Sequence, residues 1–179
     1  MSKNVLILSG SPRKGGNSDL LCDQFLLGAK EAGHQVEKVF LRDKQIDYCI
    51  ACGTCQGNGG QCIHQDDMAE LLDKMIAADV IVMATPVYFY TMNAQIKTLI
   101  DRTYARYTKI NGKDFYFIMT AAVGNKSLLE RTLEAFRGFT SCLKGAKEKG
   151  VIYGTSAWSI GDIKRSPAMT QAFEMGQNA

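Results

Sequence analysis

Two hydrophobic rhythms alternate along this chain. Five short runs, Val5–Leu8, Val36–Leu41, Val80–Ala84, Phe115–Thr120 and Val151–Tyr153, are rich enough in apolar residues to be read as strands. The third is continuously apolar, as expected of a central parallel strand covered on both faces. Between the runs the spacing turns helical. Leu20, Leu21, Phe25, Ala29 and Ala32 fall on one stripe that ends at Gly33, and Met68, Leu71, Leu72, Met75 and Ile76 form the clearest one. Further helices are predicted over Asn93–Tyr104, from Ser127 to about Leu143, and from Ser166-Pro167 through about Gly176. Asp67 with Glu70, and Ser127 with Glu130, have capping-box spacing. Strands alternating with helices in this way predict an α/β fold, a parallel sheet wrapped on both sides by right-handed crossovers.

The segment between Arg42 and Gln65 breaks the rhythm. It has no sustained period, is rich in Gly and Cys, and is too long for a routine connection. With 179 residues and no repeat or linker, the chain is read as a single domain, 1–179, with a Cys-rich insertion at about 43–65. The net charge of +3 is scattered, so nothing argues for nucleic acid. No apolar run is long enough to span a bilayer, and the first strand begins at about Asn4, leaving no room for a signal peptide. A cytoplasmic location is the expectation, and six cysteines there point to metal or redox work rather than disulfides.

Chemistry concentrates where strands should end. The first run passes straight into Ser9-Gly-Ser-Pro-Arg-Lys-Gly-Gly-Asn-Ser18 and then a helix, the arrangement of a phosphate site. Ser9, Ser11, Asn17 and Ser18 offer hydroxyl or amide donors, and Arg13 or Lys14 charge. An ordinary strand-to-helix turn with no ligand is the alternative. The Walker A pattern fails because Gly16 and Asn17 stand where Lys and Ser or Thr belong, and the dinucleotide pattern fails because Pro12 replaces its second Gly. A single terminal phosphate remains. Pro86-Val87-Tyr88-Phe89-Tyr90 follows the buried third strand, and three adjacent aromatics cannot all enter one core. They fit either the wall of a flavin ring or a subunit interface. With Ala121–Asn125 these loops would share one sheet edge, which suggests a mononucleotide with a flat ring.

Cys49, Cys52, Cys55 and Cys62 stand as C-x2-C-x2-C-x6-C. Spacing this tight, with small residues between, favours a [4Fe-4S] cluster over zinc, whose sites more often use two separated pairs; a loop holding no metal is the third option. Cys22 and Cys142 fall in helices and are read as small core residues. No role is assigned to His34 or His64, and no catalytic dyad is visible.

Gly10–Ser18, Asp66-Asp67-Met68, Thr85–Phe89 and Ala94-Gln-Ile-Lys97 with Asp101-Arg102, bracketing the compact cysteine run, resemble the flavodoxin-like NAD(P)H-dependent FMN reductases, particularly their iron-sulfur flavoprotein branch. The resemblance runs from the first strand to about Arg102. It implies a three-layer sandwich whose five-stranded parallel sheet has the order 2-1-3-4-5. It implies FMN, with its phosphate on Ser9, Ser11, Arg13, Asn17 and Ser18, alongside Pro12 and Lys14. The isoalloxazine would lie against Pro86, Val87, Tyr88 and Phe89, with Ala121, Ala122 and Gly124 near its other edge. The implied reaction passes electrons from NAD(P)H through FMN to a quinone, flavin, iron-sulfur or protein acceptor, in a homodimer or homotetramer. The third loop is leaner than in cluster-bearing relatives. Rival readings are a flavodoxin-type electron carrier, which the +3 charge disfavours, and a zinc-stabilised binding module.

Overall fold

A computed structural model describes all 179 residues. In chain order the elements are β1 (Asn4–Ser9), α1 (Asn17–Glu31), β2 (Gln35–Phe40), α2 (Thr54–Gly57), α3 (Met68–Ala77), β3 (Val80–Tyr88), β4 (Thr91–Met92), α4 (Ala94–Arg102), β5 (Asp114–Thr120), α5 (Glu130–Ser141), β6 (Lys147–Gly154) and α6 (Ala168–Gln177). Five strands run parallel in the order β2-β1-β3-β5-β6. Counted among the parallel strands alone, this is the expected 2-1-3-4-5 order. Alternation along β1 divides the interior. Val5 and Ile7 join α1 and α6 on one face, while Leu6 and Leu8 join α3, α4 and α5 on the other.

Helices α1 and α6 meet backbone to backbone: a Cβ on Gly28 would lie 2.0 Å from the Phe173 carbonyl oxygen, and one on Gly176 2.1 Å from that of Phe25. Glycine is the residue such an approach admits. The end of α1 follows its sequence signal, with Gly33 at φ 84° and the His34 N–H bonded to the Ala29 carbonyl at 3.0 Å.

The sheet departs from the expected five strands at two places. Where the sequence suggests a loop over Val87–Thr91, β3 continues to Tyr88 and turns back into β4, which pairs with it antiparallel. The turn residues Phe89 and Tyr90 both have positive φ, 49° and 64°. Neither is the Gly or Asn that usually marks such a turn, so the pattern is silent there. Strand β6 starts at Lys147, earlier than expected, because it is an edge strand whose Lys147-Glu148-Lys149 opening carries no apolar signal.

Neither capping box forms. Asp66 rather than Asp67 accepts the Met68 N–H, at 3.1 Å, and Asp67 instead accepts from the Gln45 N–H at 2.7 Å. Asn125 accepts the Ser127 N–H at 3.0 Å and opens a 3-10 turn ahead of α5, leaving Glu130 to take the Tyr153 hydroxyl at 3.0 Å. Ser166 does start the last helix, accepting the Ala168 N–H at 3.2 Å. No helix is long and apolar enough to cross a membrane.

Candidate cofactor site

The loop after β1 is shaped from below by Asp19. Its buried carboxylate takes the Ser9 hydroxyl at 2.9 Å, the Gly15 N–H at 3.0 Å and the Lys38 ammonium at 3.0 Å. Ser9 is thereby turned into the protein. Above it, the Ser11 hydroxyl donates to the Arg13 carbonyl at 2.9 Å and accepts the Arg13 N–H at 3.1 Å. A Cβ on Gly16 would come within 2.9 Å of both the Arg13 carbonyl oxygen and Ser11 Oγ, so this curl tolerates no side chain there. Helix α1 then begins with no side-chain cap, and Ser18 Oγ, in its first turn, is buried without a hydrogen-bond partner. Unpaired donors at a helix N-terminus suit an anion.

Ser11, Arg13, Asn17 and Ser18 line one cavity of about 880 Å³ together with Pro86, Val87, Tyr88, Phe89, Ala121 and Ala122. Its volume lies within the range of about 300–1,000 Å³ usual for small-molecule sites. Four expected residues fall outside the lining. Ser9 is bonded to Asp19; the Pro12 carbonyl accepts from Arg42 at 3.0 Å; Lys14 pairs with Asp43 at 2.7 Å; and Gly124 sits beside Ser156. Arg13 makes no ion pair within the chain and is the one basic side chain of the lining.

Two contributors are absent from the sequence-based set. Buried Asn93, at the start of α4, donates its N–H to Thr85 Oγ1 at 3.0 Å and its amide to the Gly10 carbonyl, tying the first loop to the end of β3. Its place just before an amphipathic helix was the available signal. The other is the segment after β6. Ala157 N–H bonds the Ala121 carbonyl at 2.9 Å, and the Trp158 and Ser159 N–H groups bond Asp162 at 3.0 and 2.6 Å. Asn17 then donates to the Ser159 carbonyl at 2.9 Å and accepts from the Gly161 and Ile163 N–H groups at 3.1 and 3.3 Å. Its side-chain amide is thus committed to this strap.

The cysteine loop lies elsewhere. Cys49, Cys52, Cys55 and Cys62 all line a second cavity, of about 870 Å³, walled also by Ile100 of α4, Tyr104 in the turn after it and Phe139 of α5. Ala51 and Gly53 have positive φ, 54° and 72°, and the Ala51 N–H reaches Cys49 Sγ at 3.5 Å. Hydrogen bonds from Thr54 hold the Cys52 thiol below its usual range. No three His, Cys, Asp or Glu side chains converge at metal-binding distance. Cys142, expected in the core, is exposed and lines this same cavity; at the end of α5 its helical spacing does not report burial. Cys22 is fully buried, as expected. His64 bears Nδ1 toward Asp47 at 3.5 Å, and its Nε2 is buried without a partner.

A three-layer parallel sheet with a phosphate-type turn and an aromatic-walled cavity at the carboxyl ends of its strands defines a flavodoxin-like α/β protein. Residues 3–146 match the family model described as NADPH-dependent FMN reductase, and the chain belongs to that family. It is 44% identical over 93 residues, 52% of this chain and 42% of the relative, to an iron-sulfur flavoprotein of Archaeoglobus fulgidus. It is 43% identical over 96 residues, 54% of this chain and 50% of the relative, to an iron-sulfur flavoprotein of Methanosarcina thermophila. The matched stretches thus span about half the length of these relatives. Among solved structures, an NAD(P)H:quinone oxidoreductase from Methanothermobacter marburgensis superposes with a TM-score of 0.73 at 20% identity, covering 99% of this chain and 97% of that one. An FMN-dependent NADH-azoreductase from Bacillus anthracis gives a TM-score of 0.75 at 16% identity, covering 98% of each chain.

Proposed function

We propose that this protein is an FMN-dependent oxidoreductase that passes electrons from NAD(P)H through FMN to a quinone, flavin, iron-sulfur or protein acceptor. The observation that carries the reading is Ser18, whose buried hydroxyl has no partner at the mouth of α1. Leaving such a group unsatisfied costs about 1–3 kcal/mol, and a terminal phosphate oxygen removes that cost. The N–H groups of Asn17 and Ser18, free at the first turn of α1, add neutral donors, and Arg13 adds charge. Bound FMN supplies a hydride acceptor at N5 and a route for electrons to leave. The chain's part is placement: the Pro86–Phe89 wall gives the ring an apolar face and excludes water, and no side chain is required as acid or base.

The cysteine loop forms the second part of the proposal. Four thiols line one cavity and are the donor type a soft metal centre takes, although no three converge at metal-binding distance in this structure, and the two archaeal relatives carry the name iron-sulfur flavoprotein. Cys49, Cys52, Cys55 and Cys62 would hold a [4Fe-4S] cluster, which stores and relays single electrons. The fully exposed Phe89, flanked by exposed Tyr88 and Tyr90, favours assembly into a homodimer or homotetramer.

The test is titration of the flavin-free protein with FMN, followed by NADPH and an artificial quinone. Saturable quenching of flavin fluorescence, a raised Tm and steady NADPH oxidation are expected. An unmoved Tm with free-flavin fluorescence would overturn the reading. Iron and labile sulfide after anaerobic purification, against zinc, test the cysteine loop.

A further inference from the structure

We infer that Trp158, on the strap after β6, packs against the flavin bound in the cavity as a second aromatic contact besides the Tyr88–Phe89 hairpin; this rests on the FMN reading above. The family match ends at residue 146, so the strap lies outside it. Large exposed apolar side chains gather at this mouth: Trp158 is 78% exposed, Ile160 62% and Phe89 100%, and all three line the cavity. An indole held in water beside an apolar cavity has surface to bury, and a flat π-system is the occupant that buries it best.

The main chain around Trp158 is fixed on three sides. The preceding N–H is bonded to Ala121, its own N–H to Asp162, and the following carbonyl to Asn17. The Trp158 Cα is therefore held at the cavity rim, and the indole reaches the cavity by side-chain rotation alone. The two outer anchors, Ala121 and Asn17, belong to the two loops between which a mononucleotide would lie, one beside the expected ring edge and one at the phosphate end. The strap bridges those loops, so a molecule reaching both lies in the cavity that Trp158 lines.

Trp158 is the chain's only tryptophan, which makes its environment directly readable. FMN dissociation constants of wild type, Trp158→Ala and Trp158→Phe would be measured with NADPH Michaelis constants, after circular dichroism confirms an unchanged fold. Truncation to Ala should weaken FMN about tenfold, as loss of one stacking partner does, and Phe should restore most of it. The bimolecular acrylamide quenching constant of Trp158, obtained from lifetimes, should fall when FMN binds. Asp162→Ala, which frees the strap without removing the indole, should reproduce part of the loss and add nothing to Trp158→Ala. If Trp158→Ala keeps wild-type FMN affinity, or if only the NADPH Michaelis constant rises, the inference is overturned while the FMN reading stands. If wild type itself does not bind FMN, both fall.

Discussion

Arg102 and Asp66 form a buried, two-pronged ion pair at the neck of the cysteine loop. Nη1 reaches Oδ2 at 2.6 Å and Nη2 reaches Oδ1 at 2.9 Å, with side chains only 2% and 3% exposed. The same pair grips both ends of the loop: Nη1 also donates to the Asp47 carbonyl at 2.6 Å, and Asp66 accepts the Asp47 N–H at 3.0 Å and the Met68 N–H at 3.1 Å. The cysteines are thus carried on a long excursion whose two ends are pinned by one carboxylate.

Removing one partner strands the other in the interior. Arg102→Ala should cost about 3–5 kcal/mol of stability, whereas Arg102→Lys keeps the charge but loses the fork and should cost less. Hydrogen exchange read by mass spectrometry should accelerate across residues 47–66 in both. Unchanged exchange there would show that the pair does not hold the neck.

The same carboxylate sets a pH response. Burial alone would raise the Asp66 acid, but hydrogen bonds from Arg102 and from the Asp47 and Met68 N–H groups outweigh it and hold it below the usual range. A group depressed on folding contributes stability that is complete above its unfolded value, about 3.9, and is lost as pH falls through the folded one. The urea midpoint of wild type should therefore drop more steeply than that of Asp66→Asn as pH falls below about 4. Parallel acid limbs would count against it.

The strands, the helices and the Gly-rich turn from β1 into α1 were legible because they rest on local pattern, whereas the strand order, a pairing of segments distant in sequence, came only with the family resemblance. What escaped was set by partners distant in sequence. Ser9 looks like a donor until Asp19 is seen to claim its hydroxyl, and Lys14 until Asp43 does. Asn17 lines the cavity, yet its side-chain amide braces a segment more than 140 residues away. The Phe89-Tyr90 turn violates the composition rule for its own geometry, and the Trp158 strap has no period at all.

Ser18 separates stability from binding. Because its hydroxyl is buried and unpaired, Ser18→Ala should leave the flavin-free protein as stable as wild type or slightly more so. The same change should weaken FMN by about 10- to 100-fold, the loss of a hydrogen bond to a charged group. Denaturant melts without FMN and flavin titrations measure the two arms. A large loss of stability without FMN would mean the hydroxyl has a partner in the folded chain.

The hairpin tip carries strain in the opposite sense. Two bulky residues with positive φ cost roughly 1–2 kcal/mol each, and Asn-Gly is the pair that such a turn prefers. Phe89→Asn with Tyr90→Gly should therefore raise stability by about 1–2 kcal/mol while lowering FMN affinity, since Phe89 lines the cavity. A variant less stable than wild type would mean the aromatic pair makes contacts that outweigh its backbone cost.

The six thiols should divide by reactivity. Cys22 is wholly buried, and burial together with the Asp19 charge pushes its thiol well up, so little thiolate forms. It should be alkylated by iodoacetamide only as fast as the protein unfolds. Cys142, exposed at the end of α5, should react in the folded protein. With iron bound, Cys49, Cys52, Cys55 and Cys62 should be protected while Cys142 stays open, and chelation of the iron should add those four to the labelled set. Mass spectrometry of each peptide reads all six sites in one sample. Protection of Cys142 alongside the four would place it among the metal-holding thiols, and labelling of the four with iron still bound would remove them from that role.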